Sequence, residues 1–160
     1  MWKLIILSTL LLSTVQLLPS KSIDQQKIVD EHNSIRKKLN IKPLLFSQDC
    51  ANFAQKWAEK LAKQNNGLIH SDDSKYGENL YWYSASATEH QVIKAWASET
   101  KYFNSRRRKA NSKNGHYTQM IWENTKYVGT GMAISKDGSE YWVCSYYPPG
   151  NWAGEKVYSN

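Results

Sequence analysis

The segment from Gly115 to Trp122, with the sequence GHYTQMIW, constrains this chain more than any other. It places an ionisable imidazole, a primary amide and three large apolar side chains within eight residues. A second dense block runs from Tyr141 to Trp152 and has the sequence YWVCSYYPPGNW. Both blocks combine apolar side chains that suit a core with polar side chains that suit binding or catalysis. The question of function therefore begins with these two blocks.

Two shorter elements precede these blocks: HNSIR at residues 32–36 and GENL at residues 77–80. In this order, the four elements resemble the signatures of the CAP family, the secreted domain of cysteine-rich secretory proteins, insect venom allergens and plant pathogenesis-related proteins. The resemblance extends from His32 to Trp152. It implies an α/β fold, specifically a three-layer α-β-α sandwich whose central sheet is mainly antiparallel.

The first 22 residues have the features of a secretory signal peptide. Lys3 precedes an apolar run from Leu4 to Leu18, which is too short and too rich in Ser and Thr for a membrane span. Small residues at Ser20 and Ser22 suit signal peptidase and would make Ile23 the new N-terminus. We therefore predict a secreted, extracellular protein with one domain, residues 23–160, and no transmembrane span.

The chain is basic, with 21 Lys and Arg against 14 Asp and Glu. Part of the excess lies in the run Arg106, Arg107, Arg108 and Lys109. Such a run is either a solvated loop or a patch that attracts anionic glycans or phospholipid headgroups. Export argues against nucleic acid as a partner.

Two cysteines in an exported protein are compatible with one disulfide, between Cys50 and Cys144. Cys50 lies in a helical pattern and Cys144 in a strand pattern, so each could equally be a buried thiol. Both alternatives stay open from the sequence.

Hydrophobic spacing predicts three helices, which begin near the caps Asp24, Ser47 and Thr88. Thr88 and Gln91 have the spacing of a capping box. In the C-terminal half, Tyr127 to Ile134 and Glu140 to Tyr146 flank Asp137-Gly138 and predict a β-hairpin.

The resemblance to the CAP family also implies a cleft with two histidines and two glutamates. The matching residues are His70, Glu78, Glu99 and His116. Neutral imidazoles at His70 and His116 could bind Zn²⁺ or another divalent cation, whereas a metal-free hydrogen-bonded cluster is the alternative. No cofactor is required by this interpretation. The other polar residues of the motifs are expected to be structural: His32, Asn33, Arg36, Asn79, Gln119 and Asn151.

Three functional hypotheses follow. The first is a non-enzymatic domain that binds a small lipid, such as a fatty acid, sterol or phospholipid, or an extracellular protein. The second is a metal-assisted hydrolase or peptidase acting through the His/Glu cleft, although Ser71 beside His70 is a weak candidate for a nucleophile. The third is an effector that binds anionic glycans or membrane surfaces through the basic run.

Overall fold

The computed structural model describes residues 21–159. Of the predicted signal peptide, residues 1–22, all but the last two lie outside this range, and its cleavage remains a prediction. Within residues 21–159, the chain forms four α-helices, one 3₁₀ helix and a four-stranded sheet. The helices are α1 Gln25–Lys38, α2 Gln48–Gln64, α3 Glu89–Ala97 and α4 Gly115–Met120, and the 3₁₀ helix is Ser98–Tyr102. The strands are β1 Leu45–Phe46, β2 Gly77–Tyr83, β3 Tyr127–Ile134 and β4 Glu140–Tyr147.

The strand order is β1-β3-β4-β2. Strands β3 and β4 form the predicted hairpin, β2 pairs antiparallel with β4, and the two-residue β1 pairs parallel with β3. The sheet is therefore mixed but mainly antiparallel, and the predicted fold class is confirmed.

The predicted helix starts are confirmed by their caps. The Asp24 carboxylate accepts a hydrogen bond from the Lys27 amide at 3.0 Å, and Thr88 forms a complete capping box with Gln91. Such caps satisfy amides that have no partner within the helix.

Helices cover both faces of the sheet and produce the three layers. On one face, α2 packs through Ala54, Ala58 and Leu61 against Val143 and Tyr141 of β4. It approaches closely because β3 carries Gly129 and Gly131 there, where a Cβ would lie 2.2 Å from α2 backbone nitrogens. Helices α1, α3 and α4 cover the other face, whose core includes Trp96, Trp122, Trp142 and Tyr146.

Two glutamines complete the hydrogen bonding of β3 beyond the end of β1. The Gln25 side chain accepts from the Thr130 amide at 3.1 Å and donates to the Thr130 carbonyl at 2.6 Å. Gln55 of α2 makes the same pair with Met132, at 3.1 and 3.0 Å. These amides occupy the backbone groups that a further strand would use.

Of the two alternatives for Cys50 and Cys144, the structure has the free, buried thiols and not the disulfide. Cys144 belongs to the core on the α1/α3 face, and its sulfur lies 2.7 Å from the Thr130 hydroxyl. Cys50 is carried by α2, which packs on the opposite face. The sheet therefore separates the two thiols.

Candidate functional site

One cavity of about 370 Å³ is lined by all four residues of the predicted cleft, His70, Glu78, Glu99 and His116. It lies at the end of the sheet where β2 begins, beside the first turn of α4. The structure thus brings together residues that span 47 positions of the sequence, from 70 to 116.

The first histidine–carboxylate pair joins a loop to the sheet. His70 follows α2, and its Nδ1 lies 3.0 Å from Oε2 of Glu78 on β2. The same oxygen accepts a hydrogen bond from the Ser71 amide at 2.9 Å. The His70 side chain is 62% exposed, whereas the Glu78 side chain is only 3% exposed. The His70 imidazole is therefore accessible to solvent, while the carboxylate that it contacts is buried and held in place.

Glu78 is held in its ionised form. Burial alone would raise the pKa of this carboxyl, but hydrogen bonds from His70 and Ser71 outweigh it, so the pKa lies below its usual value. Its other oxygen, Oε1, is buried and has no hydrogen-bond partner among residues 21–159. A buried carboxylate oxygen without a donor favours a cation nearby.

The second pair joins the 3₁₀ helix to α4. His116 Nδ1 lies 2.7 Å from Oε1 of Glu99. The other Glu99 oxygen accepts hydrogen bonds from the backbone amides of His116 and Tyr117, at 2.9 and 3.1 Å. Helix α3 ends at Ala97, and Glu99 lies in the 3₁₀ helix that follows it. The tighter turn still leaves the carboxylate facing α4.

The indole of Trp96 fixes the His116 ring from one side. The two ring centroids are 6.1 Å apart and the planes meet at 18°, a stacked arrangement. Trp96 is itself buried, and its Nε1 donates to the Leu80 carbonyl at 3.1 Å. His116 is thus oriented by a carboxylate at Nδ1 and by an aromatic face.

In both histidines, the ring nitrogen Nδ1 contacts a carboxylate oxygen. A carboxylate at Nδ1 stabilises the tautomer that carries its proton on Nδ1 and leaves the Nε2 lone pair available. This is the usual arrangement behind a metal-binding histidine. Across the part of the chain that the structure describes, however, no group of three or more His, Cys, Asp or Glu is arranged to hold a metal ion. Within this cavity, the imidazoles of His70 and His116 are the nitrogen groups that such an ion could use.

Of the residues expected to be structural, Asn79, Gln119 and Asn151 line this cavity, whereas His32, Asn33 and Arg36 make contacts elsewhere in the domain. His32 is fully buried and neutral, because burial lowers the pKa of its imidazole to about 4. Its Nδ1 lies 2.7 Å from the Ile28 carbonyl and its Nε2 lies 2.8 Å from the Tyr146 hydroxyl. Asn79 donates both to that hydroxyl, at 3.1 Å, and to the His116 carbonyl, at 3.0 Å.

Arg36 anchors the end of α4 through backbone carbonyls. Its guanidinium is buried and donates to Met120 at 3.0 Å and Trp122 at 2.9 Å, and also to Thr125 and Lys42. Burial lowers the pKa of the guanidinium to about 10. A cation at the Met120 and Trp122 carbonyls is favourable because they lie at, or just beyond, the negative C-terminal end of α4.

Two amide side chains, those of Asn33 and Asn151, make further structural contacts. Asn33 binds both backbone groups of Leu44, at 2.7 and 2.9 Å. Asn151 donates to the Gly115 carbonyl at 2.8 Å and accepts from the Thr118 hydroxyl at 2.7 Å.

The position of the Gln119 side chain explains why residue 77, the first of the GENL element, is glycine. Its Oε1 accepts from the Gly150 amide at 3.0 Å, and a Cβ at Gly77 would lie 2.2 Å from the same atom. A side chain at residue 77 would therefore displace an amide that is itself held in place.

Tyr146, Trp96 and Thr118 were not among the predicted site residues. Thr118 lies inside GHYTQMIW and Tyr146 inside the second block, so the motifs marked their positions. Their roles depend on partners as distant as residue 32, which no local pattern indicates.

Two other predicted features do not line the cavity. Arg106, Arg107 and Lys109 are exposed in a loop, whereas Arg108 is partly buried and lies 5.5 Å from the centre of the Tyr158 ring. The Ser71 hydroxyl is buried, which removes it from contact with a substrate in this conformation.

Comparison with known sequences identifies the family. The pattern of the family described as "Cysteine-rich secretory protein family", CAP, matches residues 29–146. The chain belongs to the CAP family. It is 37% identical over 132 residues to the human Golgi-associated plant pathogenesis-related protein 1, which covers 81% of this chain and 85% of that protein. A pathogenesis-related protein of PR-1 type from Sambucus nigra is 33% identical over 136 residues, covering 83% and 81%.

Solved structures agree on the CAP fold. NaASP2, solved with Zn²⁺, superposes with a TM-score of 0.75 at 23% identity and covers 89% of this chain and 90% of its own. Venom allergen-like protein 4 of Schistosoma mansoni gives a TM-score of 0.67 at 23% identity, covering 87% and 96%. At this identity the likeness concerns the fold. Within residues 21–159, no helix is long and apolar enough to cross a membrane.

Proposed function

We propose that this CAP domain is exported and acts by binding, with the His/Glu cavity as an exchangeable site for a divalent cation of the zinc class. The observation that carries the proposal is the pairing of both histidines with carboxylates through Nδ1, at 3.0 and 2.7 Å. That pairing directs two Nε2 lone pairs away from their carboxylates and gives them the basicity of metal ligands. Cavity-lining waters would complete the coordination.

A site with two protein ligands binds weakly and exchanges readily, since catalytic zinc sites usually have three. The relative NaASP2 was solved with Zn²⁺, which supports testing zinc first.

Zinc titration of the purified protein by calorimetry tests the proposal. We expect saturable binding at one site, and its loss in a His70→Ala, His116→Ala double variant. His90→Ala is the matched control, because His90 is also exposed and also pairs with a carboxylate, Glu31, at 3.1 Å. Equal binding by the double variant, or none by the native protein, would reject a cation site in this cavity.

A second candidate function is binding of a small lipid, and a separate cavity favours it. This cavity of about 410 Å³ is lined by the rings of Phe46, Tyr76, Tyr127 and Tyr147 and by Ser47, Asp49, Cys50 and Lys75. Apolar and aromatic walls with a few polar groups are typical of small-molecule sites. A fatty acid or sterol would place its apolar body against the rings, with a carboxylate or hydroxyl towards Lys75.

Delipidated protein should then retain radiolabelled palmitate or cholesterol, and Tyr76→Ala should weaken retention. Tyr102→Ala, which removes another exposed tyrosine distant from this cavity in the sequence, is the control. Retention that is unchanged by Tyr76→Ala would exclude the cavity as the lipid site.

Binding to anionic glycans is a third candidate, supported by the exposure of Arg106, Arg107 and Lys109. A triple change of these residues to Ser should abolish retention on heparin at low salt if the loop is the binding surface. A triple change of Lys37, Lys38 and Lys42 removes equal charge elsewhere and should retain most of the binding.

A further inference from the structure

Lys21 lies just before α1, and its ammonium group is surrounded by hydrogen-bond acceptors and the face of an indole ring. We use the name Glu140 socket for Glu140 and Trp142 of β4 together with Ser86 and Ala87, which precede α3. The Lys21 Nζ lies 2.8 and 2.9 Å from the two Glu140 carboxylate oxygens and 3.0 Å from the Ser86 hydroxyl. It also donates to the Ala87 carbonyl and lies 4.9 Å from the centre of the Trp142 ring.

Glu140 is part of the core rather than of the surface. Its side chain is 3% exposed, and it accepts further hydrogen bonds from the Ala87 amide at 3.0 Å and the Trp142 Nε1 at 2.8 Å. These donors keep the carboxylate ionised in a place with little water. A buried charge of this kind needs a partner of opposite charge, and Lys21 supplies it.

The residues after Lys21 are also tied to the domain. The Asp24 amide donates to Glu89 at 3.2 Å, and the Gln25 side chain pairs with Thr130 of β3. Lys21, two residues before the N-terminus that small-residue spacing suggests, is therefore in contact with the domain.

We infer that the mature protein begins at Lys21, with the leader cleaved between Ser20 and Lys21, and that the Glu140 socket is a primary-ammonium site filled by this residue. The inference rests on the proposed export of the chain. Ser20 supplies the small residue at position −1 of this cut, with Leu18 at −3. A cut after Ser22 would have small residues at both −1 and −3, Ser22 and Ser20, but it would discard the cation of a buried carboxylate.

The mature N-terminus tests the inference directly. The full chain, expressed through a eukaryotic secretory pathway, should yield a protein whose N-terminal sequence begins KSIDQ and whose intact mass agrees. A protein beginning at Ile23 would overturn the inference and leave export standing. A chain that keeps its first residues would overturn both, so the two failures are distinguishable.

Thermal unfolding of the secreted protein tests the socket itself. Lys21→Ala should lower Tm by about 5 °C, and adding Glu140→Gln to that variant should recover part of the loss, because no charge is then left unpaired. Lys27→Ala is the control, since Lys27 lies 3.7 Å from Glu89 at the surface. Equal Tm values for Lys21→Ala and Lys27→Ala would overturn the assignment of the socket, provided that N-terminal sequencing finds residue 21 in both.

Discussion

The hydroxyl of Tyr146 lies 2.8 Å from Nε2 of His32, and this contact joins the last strand to the first helix inside the core. Because Asn79 donates to the same hydroxyl and to the His116 carbonyl, the contact is one link in a buried chain that ends at the cavity. Each member of the chain belongs to a different motif. The motifs are therefore parts of one hydrogen-bond network.

Removing the Tyr146 hydroxyl should destabilise the protein strongly, although the change deletes a single oxygen atom. Tyr146→Phe leaves the His32 Nε2 and one Asn79 donor unpaired in a dry interior, so we expect the free energy of unfolding to fall by about 2 to 3 kcal/mol. Urea unfolding measures this. Tyr147→Phe, at a ring that is 41% exposed, should change the free energy by less than about 0.5 kcal/mol. Similar losses in both variants would contradict a role for the network.

Stability should decrease as the solution becomes acidic through the histidine range. The pKa of His32 is about 4 in the folded protein, whereas an unfolded histidine titrates near 6.5, so the unfolded state binds more protons between these values. From pH 7 to pH 5 the free energy of unfolding should fall by about 2 kcal/mol from this residue.

Urea unfolding at pH 7, 6 and 5 measures the effect, with His32→Gln as the comparison because glutamine does not titrate. The native protein should lose stability more steeply than the variant over this interval. Parallel curves would assign the pH dependence to other groups.

The glycines of β3 should tolerate no side chain, in contrast to the glycine that begins α4. At Gly131, a Cβ would lie 2.2 Å from the Gln55 backbone nitrogen, and backbone cannot move aside as a side chain can. Gly131→Ala should therefore cost about 3 kcal/mol or prevent folding. At Gly115, the nearest atom to a Cβ is 4.0 Å away, so Gly115→Ala should leave stability unchanged or raise it by up to about 1 kcal/mol. Circular dichroism during urea unfolding compares the two, and a neutral Gly131→Ala would contradict the close packing of α2.

Both thiols should be unreactive in the folded protein. Burial raises the pKa of Cys144 to about 12 and raises the pKa of Cys50 as well, so the reactive thiolate is scarce at pH 8. A thiol-specific reagent should label neither residue quickly under native conditions. In guanidinium chloride without reductant, both should be labelled, as mass spectrometry of the products can count. Labelling that appears only after reduction would mean that the two cysteines are bonded.

Sequence patterns were sufficient for the elements whose signals are local. The caps at Asp24 and Thr88 and the turn at Asp137-Gly138 each involve neighbours within a few positions, and the structure has a helix or hairpin at each. The six-residue α4 is too short for periodicity to reveal. The four residues of the cleft were placed by resemblance, because their proximity depends on how separate elements pack.

The sequence left the state of the two cysteines open for the same reason. Whether Cys144 faces α2 or α1 depends on the register of β4, and a shift by one residue would reverse its face. That register is fixed by pairing with β2 and β3, which the sequence around Cys144 does not specify. Likewise, Lys21 lies within the predicted leader, and only its contact with Glu140, 119 positions away, connects it to the domain.

The glutamine pairs on β3 have a consequence for behaviour at high concentration. A sheet that ends in bare peptide groups is a template for a strand from another molecule, and such growth leads to fibrils. Here, the incoming strand would first have to expel Gln25 and Gln55 from four hydrogen bonds. At this edge of the sheet, the two glutamine side chains thus protect the domain against self-templated assembly.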